Sequence, residues 1–329
     1  MTGPIDFDEM LAKVAPDNPN RSFLLKSLIE IRAGQDDQAL MTRLMTGLVM
    51  KYAESERQLN RLNAELREKQ EHLDADLKAA AVIQTALLPK PLPAASNVRA
   101  AWKFVPCQSI GGDVFLLTPL GKRYLMVAVV DISGHGVPSA MVTVSVCQFL
   151  QPQAGTVFQP GAGPDGAVVP PGQVLASLDR EFPYFRFKKT FSIFYGVLDR
   201  VTGRFTFANG GHPQPFLQTP DGALTTLEEH GPIIGMGLGS TFPEGSLTLS
   251  PGSRLTFYSD GLTECRNPSG ELFGDDRVRD LLAAHHALPL PDLAAAIHAG
   301  ASRFVAGAGF PDDFTLVHLE FAGPPASPA

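Results

Sequence analysis

Cysteine is scarce in this chain of 329 residues: Cys107, Cys147 and Cys265 are an odd set with no CxxC spacing. That argues against a disulfide framework and a cysteine-ligated zinc site, and it points to a reducing compartment. Long apolar runs are also lacking. The longest notable one, at 124–130, falls far short of the roughly 20 residues a membrane helix needs. The first ten residues, MTGPIDFDEM, are acidic and have neither the basic start nor the apolar core of a signal peptide. A cytoplasmic protein with no membrane span is the expectation. A basic excess is missing too, because 27 Lys and Arg stand against 34 Asp and Glu, a formal net charge of −7. No basic stripe is available to neutralise nucleic-acid phosphates.

What is present is ordinary for a globular chain, at 44% hydrophobic and 19% charged residues, which excludes wholesale disorder. At roughly 150 residues per domain the length allows about two domains. Composition divides near Pro89. Neither glycine nor proline occurs between Gly47 and Pro89, and acids and bases mix densely over 51–78. Met45, Tyr52, Leu59, Leu66, Leu73, Ala80 and Leu87 recur every seven residues. The interleaved row of Leu48, Ser55, Leu62, Lys69, Asp76 and Ile83 is apolar only in places. This predicts a long helix with one good heptad row, about 60 Å at 1.5 Å per residue. Two readings are open: a seam between two copies of the chain, or a helix lying on its own domain. So charged a helix gains little from burial, which favours the homodimeric seam. Residues 1–46 read as a helical regulatory segment with short helices around 23–31 and 39–44, a place for an upstream regulatory protein. Residues 47–88 read as a coiled-coil stalk.

From Val98 onward the pattern turns to strands. YLMVAVVDI (Tyr124–Ile132) is apolar on both faces and predicts a central strand. FSIFYGVLD (Phe191–Asp199) and RFTFAN (204–209) read as a hairpin, and LTFYSDG (255–261) and FTLVHLEF (Phe314–Phe321) as further buried strands. Helices are expected at 139–150, 172–181, 276–285 and 291–305. Residues 151–171 read as a loose insertion, 231–239 as either a mobile flap or an edge strand with a turn, and 323–329 as a disordered tail. The expected class is α+β, with stacked antiparallel sheets flanked by helices over 89–322 and the long N-terminal helix before them.

Four acidic motifs share one setting, each beside a core strand or a glycine: GGDVF with Asp113, VVDISGHG with Asp131, YSDGLTE with Asp260, and PDDFT with Asp312 and Asp313. Taken singly, each is explained as a turn or a helix cap. Strand ends converge in a sheet protein, however, and two carboxylates 4 Å apart repel by about 4 kcal/mol at an effective dielectric of 20. Several such pairs would exhaust the stability of a domain. The motifs contain no Lys or Arg except Arg266, downstream of Asp260. Hard divalent cations, Mn²⁺ or Mg²⁺, are the remaining counterions suited to an all-oxygen set.

These motifs resemble the PPM-type metal-dependent protein serine/threonine phosphatases, and more closely their bacterial SpoIIE-like, sigma-factor-regulating branch. The matching stretches are IQTALLP (83–89), GGDVF (111–115), DISGHGVPSAMV (131–142), FYGVLD (194–199), FANGGHPQPF (207–216), SDGLTECRN (259–267) and DDFTLV (312–317). The resemblance implies an αββα sandwich with two metal ions at the rim of the sheets. It implies that Asp131 bridges the ions, that Asp260, Asp312 and the backbone carbonyl of Ile132 are ligands, and that Asp113 acts in or just outside the ligand shell. Glu264 stands where some members hold a third ion. The implied catalytic residues are Asp131, Asp260 and Asp113. The implied reaction is hydrolysis of phosphoserine or phosphothreonine by a metal-bridged hydroxide. The implied substrate is a STAS-type anti-sigma-factor antagonist in a partner-switching pathway. The histidine and arginine that assist some relatives do not transfer: His135 is displaced by ISGHG, and no counterpart of the arginine is recognisable. Two rivals stand beside this reading, a catalytically weak phosphoprotein-binding scaffold and a two-metal hydrolase of small phosphoesters.

Overall fold

The computed structural model describes residues 37–93, 96–107, 110–161, 165–237 and 239–324, with Lys26 and Ile29. The chain divides into two compact units, Met1–Asp74 and Ala75–Ala329. Helix α1 (Asp37–Thr85), of which 37–74 belong to the first unit, begins ten residues before Gly47. The separate short helix expected at 39–44 is therefore part of α1, because no glycine or proline interrupts 37–46. The short helix expected around 23–31 lies outside the described residues, apart from two positions. Of the good heptad row, Met45, Tyr52, Leu59, Leu66 and Leu73 are more than half exposed, whereas Ala80 and Leu87 are partly buried.

The second unit is built on two five-stranded antiparallel sheets. In chain order its elements are β1 (Val98–Val105), β2 (Val114–Leu120), β3 (Tyr124–Ile132), α2 (Val137–Phe149), β4 (Phe158–Gln159), β5 (Ala167–Val168), α3 (Pro171–Glu181) and α4 (Tyr184–Phe187). They continue with β6 (Phe191–Asp199), β7 (Arg204–Gly210), β8 (Phe216–Gln218), β9 (Leu224–Thr226), β10 (Glu244–Thr248), β11 (Arg254–Tyr258), α5 (Asp260–Thr263), α6 (Gly274–Ala284), α7 (Leu290–Phe304) and β12 (Phe314–Phe321). One sheet has the order β1-β12-β11-β8-β9, the other β10-β7-β6-β3-β2.

Three apolar layers follow from strand alternation. Along β3, Leu125, Val127 and Val129 face the other sheet and join Phe194, Phe205, Phe207, Phe257 and Val317 between the sheets. Met126, Ala128 and Val130 face outward onto Val142 and Val146 of α2 and Val174, Leu175 and Leu178 of α3. On the far side, Tyr258, Phe314 and Leu316 pack beneath Val278 and Leu282 of α6 and Leu293 and Ile297 of α7. β3 is covered on both faces, so it carries no polar alternation. The sandwich is αββα, as the resemblance implies.

Two local expectations, for 151–171 and for the tail, need correction, and the open choice at 231–239 is decided. The insertion at 151–171 is anchored: β4 pairs with β5, and Val157 and Phe158 are buried in the outer core. The described part of 231–239 follows the edge reading. Ile234 pairs with Phe191, Gly231 N–H donates to the Asn209 carbonyl, and the buried Asp179 carboxylate accepts from Gly235 N–H at 2.8 Å. The start of the tail is held as well, since Asn97 Nδ2 donates to the Gly323 carbonyl at 2.7 Å. Residues 325–329 lie outside the described part.

Candidate metal centre

The strands deliver the acids from both sheets to one rim. Asp131 is the penultimate residue of β3, in register with Ser192 of β6. Asp260 does not end its strand as expected. β11 stops at Tyr258, and Asp260 opens the one-turn helix α5, where Ser259 is fixed by its hydroxyl donating to the Asp313 carbonyl at 3.0 Å. Asp312 precedes β12. Asp131, Asp260, Glu264 and Asp312 all line one cleft of about 800 Å³. Glu264 is exposed, whereas Asp131, Asp260 and Asp312 are half-buried.

Asp113 lies deeper, 3% exposed, and its carboxyl accepts the Thr315 hydroxyl at 2.5 Å. Asp313, next to Asp312, has a different task. Its carboxylate accepts from Cys107 N–H at 2.8 Å and Asp113 N–H at 3.1 Å, so it ties the GGD loop to the start of β12. That close approach explains Gly111: a Cβ there would lie 1.9 Å from Asp313 Oδ2. Gly112 is required for a similar reason, since its Cβ would lie 2.5 Å from the Ile132 carbonyl oxygen. The GGD loop is thus pressed against the carbonyl proposed as a ligand.

The electrostatics are those of a site short of positive charge. Burial first, then the charges of Asp260, Asp312 and Asp313, raises the Asp131 carboxyl to about 7, while a hydrogen bond from Asp113 acts the other way. Burial and the neighbouring Asp312 and Glu264 raise Asp260 to about 6. Asp113 is raised well above the carboxylate range by burial and by Asp131. Among the described residues, none of these acids forms an ion pair with Lys or Arg. Several hard oxygen donors crowded at one rim without a cationic partner fit divalent ions of the Mg²⁺ or Mn²⁺ type. Cys107 lies beside Asp312 and Asp313, with potential ligand atoms within 4.8 Å of one another. Burial and the two acids push its thiol up to about 12, which keeps it protonated and a poor ligand.

Other residues of the cleft were not legible from spacing. Arg279 of α6 is the only Lys or Arg among the described residues that line it, held over the Phe216 ring at 5.1 Å and donating to the Thr226 hydroxyl at 3.2 Å. It lies 19 positions after Asp260 and in no acidic motif, so only the fold brings it there. His212 also reaches the cleft. Its backbone is bracketed by the Asn209 side chain, and its Nδ1 pairs with the Ser192 hydroxyl at 2.8 Å. Burial holds the imidazole neutral, with its pKa pushed down to about 3. His135 is exposed on the loop before α2 and does not line the cleft.

The family model described as Stage II sporulation protein E (SpoIIE) matches residues 121–322, more than half of the chain. The chain belongs to the SpoIIE family. The matched stretch contains Asp131, Asp260, Glu264 and Asp312, whereas Asp113 and the 83–89 motif precede it. Protein IcfG of Synechocystis is 28% identical over 233 residues, which is 64% of this chain and 36% of that one. The phosphoserine phosphatase RsbU of Bacillus subtilis is 25% identical over 258 residues, covering 77% of this chain and 72% of that one. The chain therefore spans only about a third of IcfG. Among solved structures, the SiaA-PP2C domain of Pseudomonas aeruginosa superposes with a TM-score of 0.64 at 23% identity, over 77% of this chain and 98% of that domain. That superposition establishes the shared fold. Among the described residues no helix is long and apolar enough to cross a membrane.

Proposed function

We propose that this SpoIIE-family chain is a metal-dependent protein phosphatase that hydrolyses phosphoserine or phosphothreonine. Its substrate is a STAS-type anti-sigma-factor antagonist in a cytoplasmic partner-switching pathway. The observation that carries this reading is the meeting of Asp131 of β3 and Asp260 after β11 in one cleft, with neither paired to Lys or Arg among the described residues. Asp131, Asp260, Asp312 and the Ile132 carbonyl would hold two Mn²⁺ or Mg²⁺ ions, and Glu264 a third. Such ions, when bound, lower the pKa of water toward neutrality and neutralise charge on phosphoryl oxygens. Asp113, fixed by Thr315, keeps Asp131 in place, and neutral His212 adds no positive charge to compete with the ions. None of the three cysteines is placed as a nucleophile.

The test is turnover of a serine-phosphorylated STAS-domain protein beside p-nitrophenyl phosphate as Mn²⁺ is titrated. The proposal requires Mn²⁺-dependent release of phosphate from the protein. Hydrolysis of the small ester alone would favour a small-phosphoester hydrolase, and activity on neither would favour a scaffold.

Regulation would enter through the N-terminal segments. Residues 1–46 would receive an upstream regulatory protein, 47–88 would pair two copies through the exposed heptad row, and 89–322 would carry catalysis. The 83–89 motif is the coupling element in this scheme. Gln84 is 8% exposed; its Nε2 donates to the Gly111 carbonyl at 2.7 Å and its Oε1 accepts from Gly111 N–H at 3.1 Å. The end of α1 is thereby hydrogen-bonded to the loop that carries Asp113, and a shift of the helix moves that loop if α1 has two resting positions. Gln84→Ala leaves both Gly111 groups unpaired, at a cost of about 1–3 kcal/mol. It is expected to lower kcat about tenfold or more with little change in KM for p-nitrophenyl phosphate, as read by steady-state kinetics. Unchanged kcat would remove Gln84 from the coupling path.

A further inference from the structure

The segment 184–189, YFRFKK, stands apart from the acidic chain around it. Phe185 on α4 is 78% exposed and Tyr184 beside it 52% exposed. Three cations are packed into the same six residues. Arg186 lies over the Phe187 ring at 5.0 Å and Lys188 over the Tyr184 ring at 5.6 Å. Lys189 Nζ donates to the Ser133 carbonyl at 2.6 Å. None of the three pairs with a carboxylate among the described residues. The turn is held firmly, for Tyr184 N–H donates to the Gly235 carbonyl at 2.8 Å, next to Met236, which is itself half exposed.

Its position is telling. Ser133 and Gly134 line the cleft two and three residues after Asp131, and Phe191 and Ser192 line it two and three residues after Lys189. The Lys189 end of the patch therefore runs into the cleft wall, through its bond to Ser133 and through the chain that continues to Phe191. Exposed aromatics flanked by unpaired cations are the composition of a protein-binding hot spot, and here they would meet an acidic partner. A small ester has no need of such a surface, but a folded phosphoprotein entering the cleft would cover it.

We infer that Tyr184, Phe185, Arg186 and Lys188 form a docking surface for the phosphoprotein substrate, taking an acidic patch with an apolar contact beside its phosphorylated residue. This rests on the phosphatase reading above and names the surface that would select a protein over a small ester. The charges make docking salt-sensitive, whereas the phosphoryl chemistry remains with the acids at the rim.

The test uses the full chain as wild type, Phe185→Ala and the double variant Arg186→Glu/Lys188→Glu; Lys189 is left alone because it contacts the loop after Asp131. The probes are a serine-phosphorylated STAS-domain protein and p-nitrophenyl phosphate, both with Mn²⁺. Either variant is expected to raise KM for the phosphoprotein roughly tenfold, with kcat and small-ester hydrolysis unchanged. Binding of the same phosphoprotein to metal-free chain, where nothing is turned over, should weaken by the same factor. Binding therefore judges the surface separately from the chemistry, and wild-type turnover judges the phosphatase reading. Equal losses on both substrates, or wild-type affinity in both variants, would overturn the docking surface. Phe185-dependent binding to phosphatidylglycerol vesicles, with phosphoprotein affinity unchanged, would assign the patch to a membrane instead.

Discussion

Asp131→Asn is expected to lower phosphatase turnover about 10³-fold or more while making the metal-free protein more stable. The first effect follows from the charge it removes. A cation at the reacting phosphoryl group is worth several kcal/mol, and each 1.36 kcal/mol is a factor of ten in rate. The substitution keeps the size of the side chain and the register of β3 against β6, so the fold should persist. The second effect is the more discriminating. Asp131 is buried against Asp260, Asp312 and Asp313, which raise its carboxyl to about 7, so in the absence of metal its charge works against the fold. Removing it should stabilise the EDTA-treated protein near pH 8 by on the order of a few kcal/mol. Steady-state kinetics and thermal melts with and without EDTA check the pair. A variant that loses activity and stability together would mean that Asp131 holds the sandwich together and not a cation.

The second large effect concerns pH. The Asp131 and Asp260 carboxyls titrate near 7 and 6 in the folded chain, and Asp113 is raised too, all above the unfolded value near 3.9. A group raised in this way contributes its stability below pH 4 and loses it as pH climbs through the folded value. Metal-free protein should therefore lose stability between about pH 4 and pH 8. The two raised carboxyls together set a loss of several kcal/mol, so at 2–4 °C per kcal/mol for a domain of this size the melting midpoint should fall by roughly 10–20 °C. Mn²⁺ should reverse the loss at pH 8 and do little at pH 5, where protons already occupy the acids. Asp199 behaves oppositely and outside this window. Burial raises it, but the hydrogen bonds from Arg123, Thr202 and the Val201 N–H together outweigh that cost and hold it at about 2, so its contribution is lost only as pH falls below about 4. A metal-free midpoint that stays flat from pH 5 to 8 would contradict the raised carboxyls.

How much could be seen beforehand depended on whether the signal was local. β3, β6 and β12 were legible to the residue because each is covered on both faces and is dominated by apolar and aromatic residues. The alternation that assigns Val127 to the space between the sheets and Ala128 to the helix layer is invisible in such a run, since both environments are apolar. The acids could be found because each stands beside a strand or a glycine. Their convergence could only be reasoned from repulsion, and the structure places Asp131, Asp260 and Asp312 in one cleft. Arg279 and the Asp179 anchor for 231–239 were missed because each depends on a contact across more than 50 residues, with Thr226 and Gly235 respectively. The separate roles of Asp312 and Asp313 were half legible. The DD pair marks the place, but only the backbone donors at Cys107 and Asp113 show which acid is spent on structure.

Anomalous diffraction from crystals of the full chain soaked in Mn²⁺ addresses the central idea most directly, since it locates bound ions without reference to activity. Peaks within coordination distance of the Asp131 and Asp260 carboxylates, absent in Asp131→Asn, are the predicted result. A density map without ions at that rim, or with Mn²⁺ only beside Cys107 and Asp313, would contradict it.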